Sequence, residues 1–345
     1  MKSLALTRRY FSSESFRTLY EKATEAFSKG NLDLAVEFNS IALQQNRSNV
    51  LDANWKDVAA VRLNQAHIMK LQADFPSALE HASIGLKALD ERFTSNKLEV
   101  CHALNLVAEL NCELGNFETA TKEINRAIDI ETSIGGVSSA RLAKSYNIRG
   151  TILLNQNYIS EARSDFIRAL AINVHHHGKQ RPLPLAVGIT LSNIGNVIRK
   201  EKSCASNCVA IYREVVSSFD SELSNKENSW MFGSCLADLA QSLIDTKTTN
   251  GITEAKNLLA RALHIFLSTR GISHPSTEKA ASLLKSLSSL TVSEEEFVDD
   301  ANFVDTLLNE CEQVLPKRQA RVSGDILFID RRGHVGKGHP HTPLF

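Results

Sequence analysis

One pattern, recurring at intervals of 42 to 47 residues, constrains the fold of this chain more than any other feature. Each copy has a corner carrying Gly, Asn or an aromatic residue, then a small residue, then a second small or apolar residue seven positions later. The copies read GNLDLAVEFNSIAL (Ala35, Ala42), ADFPSALEHASIGL (Ala78, Gly85), GNFETATKEINRAI (Ala120, Ala127), NYISEARSDFIRAL (Ala162, Ala169), SNCVAIYREVV (Cys208, Val215) and GITEAKNLLARAL (Ala255, Ala262). The first small positions are 43, 42, 42, 46 and 47 residues apart. Near-constant spacing marks a repeat architecture, because a unit of this size cannot bury its apolar face without stacking on a neighbour.

A second landmark lies twelve residues upstream in the first four copies. It is a small residue within an apolar-periodic stretch: Ala23, Ala66, Ala108 and Gly150, then at slightly longer spacing Gly195 and Ala240. Two helices reach the short end of the usual interaxial range, about 8 to 10 Å, only where no bulk stands at their crossing. Leu104, Tyr146, Leu191 and Leu236, four residues earlier, are placed to fill the adjoining groove. With only 7 prolines among 345 residues, the chain reads as helical throughout. No complete seventh hairpin is evident, and the stretch from Glu278 to Leu290 reads as a single capping helix.

These residues resemble the tetratricopeptide repeat family, whose hairpins carry a large apolar residue, a small one four later, a Gly-containing corner, and Ala, aromatic, Ala on the second helix. Repeat four fits best, with Tyr146, Gly150, Leu153, Ala162, Phe166 and Ala169; repeat five departs most, and its Cys208 and Val215 predict looser pairing. The period is similar to that of the long kinesin-light-chain variety, and GISHPSTEKAASLL resembles that variety's linker and closing helix. The resemblance implies an all-α, right-handed superhelical solenoid. Three segments follow: residues 1–13, a solenoid of six hairpins and a cap over residues 14–290, and residues 291–345. In this last part an acidic hinge (Glu294, Glu295, Glu296, Asp299, Asp300) leads to an amphipathic helix with Phe303, Leu307, Cys311 and Val314, then a flexible basic tail.

In such a superhelix the first helix of each hairpin lines the inner curve. That register implies a groove containing Asn64, His67, Asn105, Glu109, Asn147, Asn193, Asn196, Arg199 and Gln241. Amide side chains suit an extended peptide, since each donates to a backbone carbonyl and accepts from a backbone N–H. The same asparagines equally suit a solvated inner surface or pairing between helices. Relatives that clamp the C-terminal carboxylate of chaperone tails carry Lys, Asn and Arg at fixed places. Here those places hold Tyr20, Thr24, His102 and Leu106, and Asn64 alone fits, which disfavours that role.

Other features carry little chemistry. With 39 basic and 39 acidic residues, no net field draws the chain to nucleic acid or an anionic membrane, and no apolar run approaches the roughly 20 residues of a membrane span. Six scattered cysteines read as reduced thiols; Cys204 and Cys208, four apart, are small packing residues rather than a metal or redox pair. His175, His176 and His177 read as a solvated loop, since three adjacent imidazoles do not share one face for a tetrahedral metal. Gly333, Gly336, Lys337 and Gly338 lack the spacing and the Ser or Thr of a phosphate loop. The ILFI run in the tail is able to add to the edge of a partner's sheet. No nucleophile, base and orienter recur together, so no catalytic residue, metal or cofactor is assigned.

The N-terminus, MKSLALTRRYFSS, carries Lys2, Arg8 and Arg9, four hydroxyl residues and no acid before Glu14. Wound as a helix it separates Leu4, Leu6, Tyr10 and Phe11 from its cations, and Arg9-Tyr10-Phe11-Ser12-Ser13 resembles a mitochondrial presequence cleavage site. This composition outweighs the alternative of a frayed basic terminus. The expectation is therefore a non-enzymatic mitochondrial scaffold or assembly factor, in the matrix or on the matrix face of the inner membrane, without integral membrane insertion, binding an extended segment of another protein. The competing readings are a permanent subunit of a large mitochondrial complex and a cytoplasmic cargo adaptor of kinesin-light-chain character, although the N-terminal heptads of such adaptors are missing.

Overall fold

The structure, a computed structural model, describes residues 15–28, 31–48, 55–90, 97–201, 205–222, 229–287, 301–315, 328–329 and 335–336. Its helices pair in sequence order. Hairpin 1 is α1 (Phe16–Ser28) with α2 (Leu32–Ser48), and hairpin 2 is α3 (Trp55–Leu71) with α4 (Phe75–Asp90). Hairpin 3 is α5 (Lys97–Glu113) with α6 (Phe117–Gly135), and hairpin 4 is α7 (Ala140–Asn155) with α8 (Ile159–His177). Hairpin 5 is α9 (Leu185–Lys200) with α10 (Ala205–Glu222), and hairpin 6 is α11 (Trp230–Asp245) with α12 (Thr249–Thr269). Within each pair the two helices share their largest interface, and the second helix of one hairpin packs on the first helix of the next. The cap, α13 (Pro275–Ser286), closes against α12. The last helix, α14 (Ala301–Cys311), returns to pack on α8 and α10.

The chain divides into two units, Met1–Leu315 and Pro316–Phe345, so α14 packs with the helical unit. The second unit contains β1 (Phe328–Ile329) and β2 (Val335–Gly336), antiparallel, with Phe328 opposite Gly336 and Ile329 opposite Val335. Part of the ILFI run thus pairs within its own chain; Ile326 and Leu327 lie outside the described residues. So do the basic N-terminus, the acidic hinge before α14, and Cys204.

The small landmarks lie at the helix crossings, fully enclosed. Ala23, Ala35, Ala42, Ala66, Ala78, Ala108, Ala120, Ala127, Ala162, Ala169, Ala240, Ala255 and Ala262 all have 0% exposure, and Gly85, Gly150 and Gly195 are buried with them. Where the upstream landmark of the first helix is glycine, at Gly150 and Gly195, the second helix inserts an aromatic ring. A Cβ on Gly150 would lie 2.6 Å from the Phe166 ring, and one on Gly195 would lie 2.8 Å from Tyr212. Tyr212 fills the crossing of repeat five with Cys208 and Val215 buried beside it, yet among the described residues the two helices of that repeat share the smallest interface of the six pairs, in line with the looser pairing expected there. The Tyr212 ring takes the space left by Gly195, while Cys208 and Val215 put more bulk than alanine at the two neighbouring positions. Tyr146 is only half-buried and lies beneath the guanidiniums of Arg149 and Arg168, 5.3 and 5.8 Å from its ring centre.

Each described corner turns at one residue, seven after the small landmark of the first helix. That residue has positive φ in every case: Ala73 (60°), Gly115 (78°), Asn157 (68°) and Lys247 (57°). Only Gly115 adopts this region freely; Asn tolerates it, whereas Ala and Lys are strained there by about 1 to 2 kcal/mol. Replacing Lys247 with glycine relieves that strain, against a smaller loss from the freer unfolded chain. Lys247→Gly is expected to stabilise the fold by about 0.5 to 1 kcal/mol in chemical denaturation, whereas a corner of relaxed geometry would lose stability on the same change.

Candidate functional site

The first helices form one continuous layer. Neighbours touch directly from α1 to α3, α3 to α5, α5 to α7 and α7 to α9, and the expected groove residues lie along them. Because equivalent positions of adjacent hairpins are stacked, polar partners fall about one repeat apart. Lys70 pairs with Glu109 across α3 and α5. Asn147 Nδ2 donates to Thr190 Oγ1 (3.0 Å), Asn193 Nδ2 donates to Asn147 Oδ1 (3.2 Å), and Arg199 Nη1 donates to Asp238 Oδ1 (3.0 Å).

The residues expected in the groove thus divide into three groups. Asn105 is buried, at 2% exposure, and leaves the surface altogether. Its Oδ1 faces the buried Ser145 hydroxyl of α7 at 3.1 Å, which also lies 2.8 Å from Glu131 Oε2. Burial pushes the Glu131 carboxyl up, with Ser145 opposing. Asn64, half-buried, keeps an enclosed Nδ2 with no partner, and Gln241 donates to Asp245 Oδ1 on its own helix. His67 lies at the surface of α3. Even so, the surrounding side chains strip away enough water to lower its pKa to about 4, with Glu109 opposing and Lys144 adding to the effect. Burial alone would raise Glu109, but the Lys70 ammonium, reinforced by Lys144, holds that carboxyl below its usual range.

The third group, Asn193, Asn196 and Arg199, meets at a cavity between hairpins 4 and 5. Its volume is about 380 Å³, and Thr151, Leu154, Asn155, Phe166 and Lys200 complete the lining. The polar groups around it are fixed from behind. Asn196 Oδ1 accepts from Arg199 Nη2 at 2.6 Å and from the Tyr212 hydroxyl at 2.9 Å. Thr190, fully buried, accepts from Asn173 Nδ2 (2.9 Å) as well as Asn147, and donates to the carbonyl of Ala186 (3.1 Å). Among the described residues, one acceptor, Asn193 Oδ1, and one donor, the Asn196 amide nitrogen, have no protein partner, three residues apart on α9. That pair complements the C=O and N–H of an extended backbone.

Thr151, Asn155, Thr190 and Ser145 are members of this layer that the groove register did not single out. Thr190 and Ser145 lie 43 and 40 residues from their partners Asn147 and Asn105, so a search for complementary polar residues one period apart would have found them. Arg149 is a further case. It clamps Asp165 through two hydrogen bonds (2.6 and 2.8 Å) and Asn125 through a third (3.0 Å), joining α6, α7 and α8. His175, His176 and His177 form the last turn of α8 and not a loop; His176 hydrogen-bonds the Ser138 carbonyl at 2.7 Å, in keeping with imidazole at a helix C-terminus. Among the described residues, no group of three or more His, Cys, Asp or Glu is placed to hold a metal ion, and no helix is long and apolar enough to cross a membrane.

No protein-family model matches the chain, and no curated protein matches it by sequence. Solved structures match it by fold. A Rap protein complexed with Competence and Sporulation Factor superposes with a TM-score of 0.54 at 13% identity, covering 79% of this chain and 75% of the other. The apo form of RapI gives 0.51 at 15% identity, over 79% and 97%. BtubC (BKLC) from P. vanneervenii gives 0.47 at 16% identity, over 74% and 94%. The likeness is one of architecture, an all-α solenoid of tetratricopeptide-type hairpins.

Because His67 titrates near 4 when folded and near 6.5 when unfolded, the unfolded chain binds more protons between those values. The contribution of His67 is complete above pH 6.5 and is lost as pH falls toward 4. His67→Gln is therefore expected to flatten the decline of melting temperature between pH 6.5 and 4 while leaving its value at pH 7.5 nearly unchanged; an identical pH profile would show that the imidazole is freely hydrated.

Proposed function

We propose that this chain is a non-catalytic protein-binding scaffold whose inner layer holds an extended segment of a partner across hairpins 4 and 5. The observation that carries the reading is the unfilled acceptor and donor of Asn193 and Asn196 at the mouth of the cavity, held in place by Asn147, Tyr212 and Arg199. Groups already positioned by the scaffold lose little entropy when a ligand arrives, so modest contacts yield useful affinity. The Rap protein of similar architecture is complexed with Competence and Sporulation Factor, which supports the use of such a solenoid to hold a second molecule.

The composition of residues 1–13 supports import into mitochondria, where the chain acts as an assembly factor for a multi-subunit complex. The partner in this reading is a subunit of that complex, bound transiently through a segment with free backbone groups.

Two experiments test the proposal. Asn196→Asp keeps the oxygen that serves Tyr212 and Arg199 but removes the free donor. It is expected to weaken binding of the captured partner about tenfold, roughly the value of one hydrogen bond to a buried group, with unchanged helicity. Undiminished binding would remove the cavity from the interface. A reporter carrying residues 1–30 is expected to enter isolated mitochondria and lose about a dozen residues, the position of the resembled cleavage site; a reporter that stays outside would exclude the mitochondrial assignment.

A further inference from the structure

The helix α14 belongs to no repeat and lies across two of them. Its Val304, Leu307, Leu308 and Cys311 are buried, and the helices it packs on are α8 and α10, the second helices of hairpins 4 and 5. The connection between α8 and α9 supplies the matching charges. Arg181 donates from Nη1 to Asp305 Oδ1 at 2.7 Å and from Nε to Glu214 Oε1 at 2.7 Å, so a single guanidinium joins α14 to α10. Lys179 Nζ reaches Asn309 Oδ1 at 2.9 Å and Glu312 Oε2 at 3.0 Å. A helix of 11 residues is not stable in isolation, so α14 is helical because it is seated.

The seat lies on the second helices of hairpins 4 and 5, and the cavity is lined chiefly by their first helices. The first helix α9 packs between α8 and α10 and contributes Asn193, Asn196, Arg199 and Lys200 to the cavity lining, while Phe166 reaches it from α8. In a solenoid each repeat touches only its neighbours, and the angle between two repeats rests on one interface. A helix pinned across the second helices of both hairpins adds an independent restraint on that angle. The angle in turn sets the gap between α7 and α9, where the cavity lies.

We infer that α14 is a clasp on hairpins 4 and 5: its seating holds the cavity at binding width and firms the α9 wall, and its release opens both. This rests on the cavity being the binding site, but the clasp itself has a readout that needs no partner. An effector that draws α14 away, or a modification that alters its charge, would then act on the inner site through the hairpin angle, without touching it.

The test is hydrogen exchange on the full-length chain, wild type against Leu308→Asp, with Asp305→Arg as a milder release should the first fail to fold. Release is expected to speed amide exchange in α9 and the C-terminal half of α7 about tenfold, leave α1 to α4 unchanged, and reverse when a synthetic peptide of residues 301–315 is added in excess. Unchanged exchange in α9 would make α14 a passive appendage, and equal acceleration in α3 and α5 would make it a general stabiliser; either overturns the clasp. If α9 responds while the wild-type chain captures no partner, the clasp stands and the binding reading of the cavity falls.

Discussion

Two helices crossing with almost nothing between them is the contact on which this molecule depends, and it is made six times. An isolated hairpin of this length is marginal in water, because its helices are near the minimum length for stability and its apolar face has nowhere to go. Close approach changes the balance, since each enclosed alanine allows the flanking Leu, Ile and Phe side chains to meet at full packing density. The volumes at the crossing are matched as a pair. Ala108 has Ile124 sixteen residues on, whereas Gly150 and Gly195 each receive a ring, Phe166 and Tyr212. At these two crossings the smallest residue on one helix thus goes with a ring on the other.

Stacking has a second consequence, because it places like positions of adjacent hairpins side by side. Polar residues on the first helices therefore meet partners about one period away and are largely consumed in pairing: Lys70 with Glu109, Asn147 with Thr190 and Asn193, Arg199 with Asp238. Buried polar groups left unpaired would cost about 1 to 3 kcal/mol each, so most of this inner layer is internally satisfied. Exceptions among the described residues are Asn64 Nδ2 and Gln65 Oε1 on α3, enclosed without a partner, and a pair of groups on α9. Asn193 and Asn196 retain one acceptor and one donor beside a cavity, in positions that their other hydrogen bonds fix.

The hairpins, their order and their crossing residues were legible in the sequence because small residues at a crossing are required by geometry and recur with the repeat. The site was legible only in part. Register places Asn105 and Asn147 on the same layer, yet Asn105 is buried against Ser145 while Asn147 is spent on Thr190, outcomes decided by side chains some forty residues away. Local pattern also failed for the three histidines, which extend α8 by a turn where a polar loop was expected, because a helix C-terminus accommodates imidazole well. The amphipathic stretch before Pro316 was visible, but the stripe that buries Val304 and Leu308, and the seat on α8 and α10, are tertiary facts with no repeat to announce them.

The matched crossing is open to a direct measurement, a double-mutant cycle at hairpin 4. Gly150→Ala alone is expected to destabilise the chain by about 1 to 3 kcal/mol through overpacking against Phe166. In the background of Phe166→Leu the same change should cost little, giving a coupling energy of about 1 kcal/mol or more. Two penalties that simply add would show that the ring and the glycine do not share a crossing, and the close-approach account of the whole stack would fail with them.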